Sequence, residues 1–246
     1  MSDSLIVIPT FNEKENIEKI VRKVFSLDQS FHVLIVDDSS PDGTGAIVKS
    51  LMQEFPERLF LEERKGKLGL GTAYIHGFRW ALAREYQFVF EMDADFSHNP
   101  DDLSKLYQAC KTGGADLSIG SRYIHGIRVI DWPMSRVLMS YYASAYVRFV
   151  TGMKILDTTA GFKCYTRKVL ETIELDKIKF MGYAFQIEMK FTAWKHGFKL
   201  KEVPIIFTDR KEGVSKMSTK IFKEAFFGVI QMRFRSMFRK YKKFDS

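Results

Sequence analysis

Apolar runs of strand length alternate with segments of helical periodicity through the first half of the chain, the pattern of βα units feeding a mostly parallel sheet. Strands are expected at residues 5–9, 32–37, 59–62, 87–92 and 116–120, with helices at 13–27, 43–55, 71–84 and 101–111 between them. Each expected strand empties into polar or glycine-containing residues, and in open α/β sheets the ligand crevice lies outside those carboxyl ends. The second half reads differently: a helix at 135–151, a glycine-containing stretch at 157–165, a helix at 185–196 and a strand at 200–207. From 219 to 240, Phe222, Phe226, Ile230, Phe234, Met237 and Tyr241 fall on one helical stripe. No repeat or Pro/Gly-rich linker divides the chain. The expected organisation is one α/β domain, residues 1–218, followed by an amphipathic basic C-terminal helix and tail, 219–246.

Composition changes this picture only at the tail. The 246 residues carry a net charge of +8, and the last forty hold 11 basic and 4 acidic residues, so most of the excess sits there. Cys110 and Cys164 are 54 positions apart with no CxxC or Cys/His cluster, which supports neither a disulfide framework nor a structural zinc site. Residues 1–4 lead directly into the first apolar run without the basic and apolar regions of a signal peptide. No stretch reaches the roughly 18 apolar residues of a membrane span. Neither secretion nor a transmembrane helix is expected.

The chemistry collects at the strand ends. The run Phe88 to Asp95 is an apolar strand closing on two carboxylates one residue apart, Asp93 and Asp95. Burying that pair bare would be costly, and hard oxygen ligands without a neighbouring His or Cys suit Mg²⁺ or Mn²⁺ that also binds substrate phosphates; capping of the following helix is the simpler use of either residue. The second strand empties into Asp37 and Asp38, where Asp38 suits a nucleobase edge and Ser40-Pro41-Asp42-Gly43 suits a turn. At the end of the first strand, Phe11 could stack on a base and Glu13 accept from it, while Asn12 with Glu15 has the spacing of a helix cap. Lys67 to Tyr74 begins like a dinucleotide fingerprint, but Tyr74 stands at the third glycine position and the segment follows the third strand, which excludes a nicotinamide cofactor. A turn carrying Lys67 near a diphosphate stays open. Arg122, the i, i+4 pair Arg136 and Ser140, and Arg210 with Lys216 are placed to receive anionic groups.

Together these stretches resemble the family 2 glycosyltransferases of the GT-A fold, and within them the dolichyl- or polyprenyl-phosphate mannose synthases. The resemblance is carried by Ile8 to Glu13, Val36 to Thr44, Lys67 to Tyr74, Met92 to His98, Gly120 to Tyr123, Thr159 to Phe162, Gly182 to Met189, Glu202 to Ile205, and Asp209-Arg210 with Gly213, Ser215 and Lys216. It implies transfer of mannose from GDP-mannose to a dolichyl or polyprenyl phosphate, with inversion. It further implies that Pro9, Phe11, Glu13, Val36 and Asp38 hold the nucleoside, that Asp93, Ala94 and Asp95 hold the metal and diphosphate, that Arg122, Arg136, Ser140 and Arg210 grip the acceptor phosphate, and that Arg210 and Lys216 cover the donor. Some relatives carry Gln as an additional metal-side ligand where this chain has Ser97, and some carry transmembrane helices beyond the point where this sequence ends. The implied location is peripheral, on the cytoplasmic face of a membrane, with accessory membrane subunits left open as partners.

Two other readings compete. UDP-glucose in place of GDP-mannose would use the same lipid acceptor, since uracil and guanine both suit the region of Pro9, Phe11 and Asp38. A nucleic-acid-binding module would use the charge and the Phe/Arg-rich tail, but carboxylates lining the crevice would repel a phosphate backbone, so nucleic acid is not an expected partner.

Overall fold

The structure, a computed structural model, describes residues 2–209 and 219–242, with side chains at all of these except 183 and 219–225. Among them a seven-stranded sheet has the order β3-β2-β1-β4-β7-β5-β8, built from β1 (Ser4–Thr10), β2 (His32–Asp37), β3 (Leu59–Glu63), β4 (Phe88–Glu91), β5 (Leu117–Ser121), β7 (Lys163–Thr166) and β8 (Leu200–Pro204). Leu5 to Ile8 and Val33 to Val36 are fully buried, as apolar runs covered on both faces of a parallel sheet should be. Alternate residues face opposite layers. Leu5, Val7, Leu34 and Val36 pack toward α3 (Leu70–Leu82) and α7 (Tyr183–Lys195). Ile6, Ile8, Val33 and Ile35 pack toward α1 (Ile17–Phe25), α2 (Thr44–Glu54) and α4 (Leu103–Lys111). Helix α3 comes so close to β1 that a Cβ at Gly77 would lie 2.4 Å from Val7 Cγ1.

Strand order reverses at β1, with β2 on one side and β4 on the other, which places the crevice outside the ends of β1 and β4. The expected strands and the mostly parallel sheet are present, with one addition. β7 runs antiparallel between β4 and β5. It overlaps the end of the 157–165 stretch, where Lys163 interrupts the apolar run; that lysine is tolerated because Glu91, its cross-strand partner, sits 3.1 Å away and both are fully buried. Because β7 enters from the crevice end, the loop before it, with Asp157, Thr159 and Gly161, also reaches the crevice.

The expected 200–207 strand is divided. β8 ends at Pro204, which cannot continue a ladder, and Phe207–Thr208 (β9) pairs with Val129–Ile130 (β6) in a separate two-stranded ribbon. The first helix starts at Ile17, four residues later than expected, and Asn12 does not cap it: its φ of 59° puts it in a left-handed turn. Helix α5 (Met134–Thr151) matches its expected position and ends on Gly152. Helix α8 (Thr219–Phe238) packs on α5 and α7 through Val229 and Met232, which join the core. Of the expected apolar stripe, Phe226, Phe234 and Met237 are exposed. Cys110 and Cys164 are buried free thiols.

Candidate active site

The loops after β1 and β2 are joined by hydrogen bonds. Thr10 Oγ1 donates to Asp37 Oδ1 (2.7 Å), Asn12 N to Ser40 Oγ (2.9 Å), Glu13 N to Thr44 Oγ1 (3.0 Å) and Lys14 N to Asp42 Oδ2 (3.1 Å). Phe11, Glu13 and Asp38 are thereby gathered at one mouth of the crevice. Pro9 and Val36 are register partners beneath it, Val36 fully buried. Lys67 Nζ lies 4.8 Å from the Phe11 ring centroid, so this lysine stands at the same mouth. Asp38 is not presented bare: Arg64 Nε donates to its Oδ1 at 2.7 Å, and Leu68 N approaches its Oδ2 at 3.3 Å. Arg64 also donates to Thr72 Oγ1 (2.9 Å), tying the third strand end to α3. Sequence reasoning missed Arg64, although it stands at a strand end like the residues that were singled out.

At the β4 end, Asp93 is 39% exposed and accepts from the Tyr74 hydroxyl at 3.1 Å. Asp95 Oδ1 accepts from Ser97 N at 3.1 Å across Phe96, whose φ is 60°. A bulky residue in that region is strained, and Phe96 takes this conformation in the turn that follows the two carboxylates. Ala94 and Ser97 are buried. The Asp93 N–H donates to His98 Nδ1 at 3.1 Å, which fixes the imidazole as an acceptor toward the loop. Among the described residues no cluster of three or more His, Cys, Asp or Glu could hold a metal ion.

Arg122, at the end of β5, is held by Asp157. Its Nε donates to Asp157 Oδ2 (2.7 Å), its Nη2 to Oδ1 (2.6 Å) and to Thr159 Oγ1 (2.8 Å), and its backbone N to Oδ2 (3.0 Å). Burial pushes the Asp157 carboxyl up, but the Arg122 charge and its hydrogen bonds outweigh this and hold it below the usual carboxylate range. Trp132 joins the two arginines: Arg136 Cζ lies 4.1 Å and Arg122 Cζ 5.6 Å from its ring centroid. Arg136 Nη1 also donates to Asp209 Oδ2 (2.8 Å), and Ser140 Oγ accepts from the Tyr123 hydroxyl (2.8 Å). The structure therefore brings Arg122, Arg136 and Ser140 to one basic and aromatic patch beside the strand ends. Arg210 and Lys216 lie outside the described residues.

Beneath the site is a fully buried ionic layer. Lys163 donates to Gln186 Oε1, the Tyr165 hydroxyl donates to Glu91 Oε1 (2.7 Å), and Lys190 Nζ donates to the Ala160 carbonyl (2.5 Å). Burial pushes both lysines down, Lys190 furthest, because the charge on Lys163 adds to the effect. These residues brace β4 against α7.

Three comparisons bear on this geometry. The family model for Glycosyl transferase family 2 matches residues 5–174. The chain is 47% identical to the polyprenol monophosphomannose synthase of Mycolicibacterium smegmatis over 94% of this chain and 87% of that one. It is 43% identical to the undecaprenyl-phosphate mannosyltransferase of Micrococcus luteus over 90% of each. Among solved structures it resembles a mannosyltransferase from Pyrobaculum calidifontis in complex with GDP-Man and Mn2+, with a TM-score of 0.61 and 17% identity over 98% of this chain and 65% of that one. The matched family, the two carboxylates at the β4 end and the sheet order agree, and the chain belongs to glycosyl transferase family 2.

Proposed function

We propose that the protein transfers mannose from GDP-mannose to a polyprenyl phosphate, with inversion, and that Asp93 and Asp95 hold a divalent cation, Mg²⁺ or Mn²⁺. One observation carries this reading: a pair of strand-end carboxylates and a basic patch of Arg122 and Arg136 stand side by side at one end of one sheet. An anionic donor and an anionic acceptor require both provisions at once. The two curated relatives, named for polyprenol and undecaprenyl phosphate mannosylation, support the lipid acceptor. The solved mannosyltransferase with GDP-Man and Mn2+ supports the donor and the metal.

The residues fit a hard cation, since Tyr74 and Ser97 each orient one carboxylate oxygen at an open loop mouth. When bound, the cation neutralises the diphosphate and makes GDP a better leaving group. Phe11, Glu13 and Asp38 receive the nucleoside, with Arg64 setting the rotamer of Asp38. Arg122, fixed in plane by Asp157, works with Arg136 and Ser140 to hold the acceptor phosphate in line with the anomeric carbon. A phosphate monoester has a second pKa of about 6, so near pH 7 the acceptor is already a nucleophilic dianion and no side chain need act as a base. By the resemblance, Arg210 and Lys216 add charge over both phosphates. GDP should displace labelled GDP-mannose at least about tenfold better than UDP does; the reverse order would move the donor to UDP-glucose.

The same reading places the protein peripherally on the cytoplasmic face of a membrane, with residues 1–218 catalytic and 219–246 resting on the lipid. Among the described residues no helix is long and apolar enough to cross a membrane. Helix α8 turns Val229, Met232 and Ser236 to the protein and leaves Phe227, Phe234 and Phe238 exposed, the last by 86%. Met134, Leu138 and Tyr142 on α5 are exposed as well. Apolar side chains of this size with basic neighbours suit an anionic interface, where each cation contributes about 1 kcal/mol. Phe234→Asp combined with Phe238→Asp should weaken co-sedimentation with anionic liposomes by about tenfold or more; unchanged co-sedimentation would remove α8 from the membrane contact.

A further inference from the structure

We propose that the hexose of the donor is bound in the gap over Gly161, with His98 Nε2–H and the Gln186 side-chain amide donating to its hydroxyls. The inference rests on the donor reading above and names the residues that would recognise the transferred group.

Three observations converge. His98 is buried, stacked on Phe162 at 4.9 Å and edge-on to Phe207 at 5.7 Å. Its Nδ1 accepts the Asp93 N–H, so the ring proton of the neutral imidazole resides on Nε2. Gln186 Oε1 accepts from Lys163, and because an ammonium can only donate, the amide nitrogen of Gln186 is turned the other way. Both nitrogens then meet at Gly161. A Cβ built on that residue would lie 3.8 Å from His98 Nε2 and 3.6 Å from Gln186 Nε2. Gly161 does not have a left-handed φ, so its backbone does not require glycine, and the missing side chain leaves space instead. Among the described residues neither nitrogen has a hydrogen-bond acceptor.

The position of the gap selects the ligand. On one side His98 Nδ1 is 3.9 Å from the Asp93 carboxylate oxygen Oδ2; on the other, Phe207 packs against both His98 and Arg122, whose Cζ is 5.5 Å from the Phe207 centroid. A group between the leaving diphosphate at Asp93 and the attacking phosphate at Arg122 is the group being transferred. Two fixed N–H donors suit the oxygens of a polyhydroxylated ring, so binding should favour nucleotides that carry the sugar.

The test uses the whole protein with Mn²⁺ and measures the dissociation constants of GDP-mannose and GDP by calorimetry in the parent, Gly161→Ala and Gln186→Glu. An alanine Cβ at 161 meets its neighbours at ordinary contact distances, so the fold should stand while the gap is filled. Glutamate at 186 keeps an acceptor for Lys163 and removes the outward donor. Each variant should weaken GDP-mannose about tenfold and change GDP by less than about twofold. Retained GDP-mannose affinity, or a parallel loss of GDP affinity, would overturn the proposal. If the parent binds UDP-glucose and not GDP-mannose, the donor reading fails separately, and the same ratio for UDP-glucose against UDP decides on the gap.

Discussion

Asp157→Asn should lower the stability of the protein by about 3–5 kcal/mol, the usual consequence of leaving a buried charge uncompensated. Asp157 is fully buried, and the Arg122 side chain it holds is only 9% exposed. Asparagine keeps the size but loses the charge and one of the two paired acceptors. The loss should reach the chemistry too: with the guanidinium free to swing, kcat/KM for the acceptor should fall by about a hundredfold even where the variant is folded. Denaturant titration and steady-state kinetics on the same preparations measure both. The pH dependence has a definite sign. Because the folded-state carboxyl is held below its ordinary value of about 3.9, the stabilisation is fully present above that value and fades as the pH falls beneath it. The parent and the variant should therefore converge in stability in strong acid; a constant difference down through that range would show that the Arg122 pair is not its source.

Asp95→Asn should abolish metal-dependent chemistry while leaving the fold intact. Its Oδ1 accepts the Ser97 amide that shapes the turn at Phe96, and an asparagine oxygen can accept the same bond. What disappears is one of two negative charges facing the cation. Transfer should fall by about a hundredfold to a thousandfold, and GDP should bind in Mn²⁺ no more tightly than without it. A variant that still binds GDP more tightly with Mn²⁺ than without would remove Asp95 from the metal site.

Much of this molecule was legible in the chain because burial on both faces leaves an unbroken apolar run. β1 and β2 are such runs, and their ends mark the crevice. β7 was not legible, since its buried Lys163 looks like a surface residue until Glu91 is known to face it across the strands. The same blindness to pairing hid Arg64: that Asp38 has a cationic partner depends on the third strand end folding against the second. Asn12 and Glu15 have the spacing of a cap, but hydrogen bonds from this loop to Ser40, Thr44 and Asp42 hold the backbone in a different turn. In α8 the periodicity marked both the helix and an apolar stripe, of which Phe226, Phe234 and Met237 are exposed; the residues that pack on the domain, 228, 229 and 232, lie off that stripe and are small or medium in size.

The central claim is the reaction itself. Labelled mannose from GDP-mannose should appear in a chloroform-soluble polyprenyl phosphate product when the intact protein is supplied with Mn²⁺ or Mg²⁺, and chelation of the metal should stop it. Lipid labelled from UDP-glucose and not from GDP-mannose, or no labelled lipid from either donor, would contradict the account.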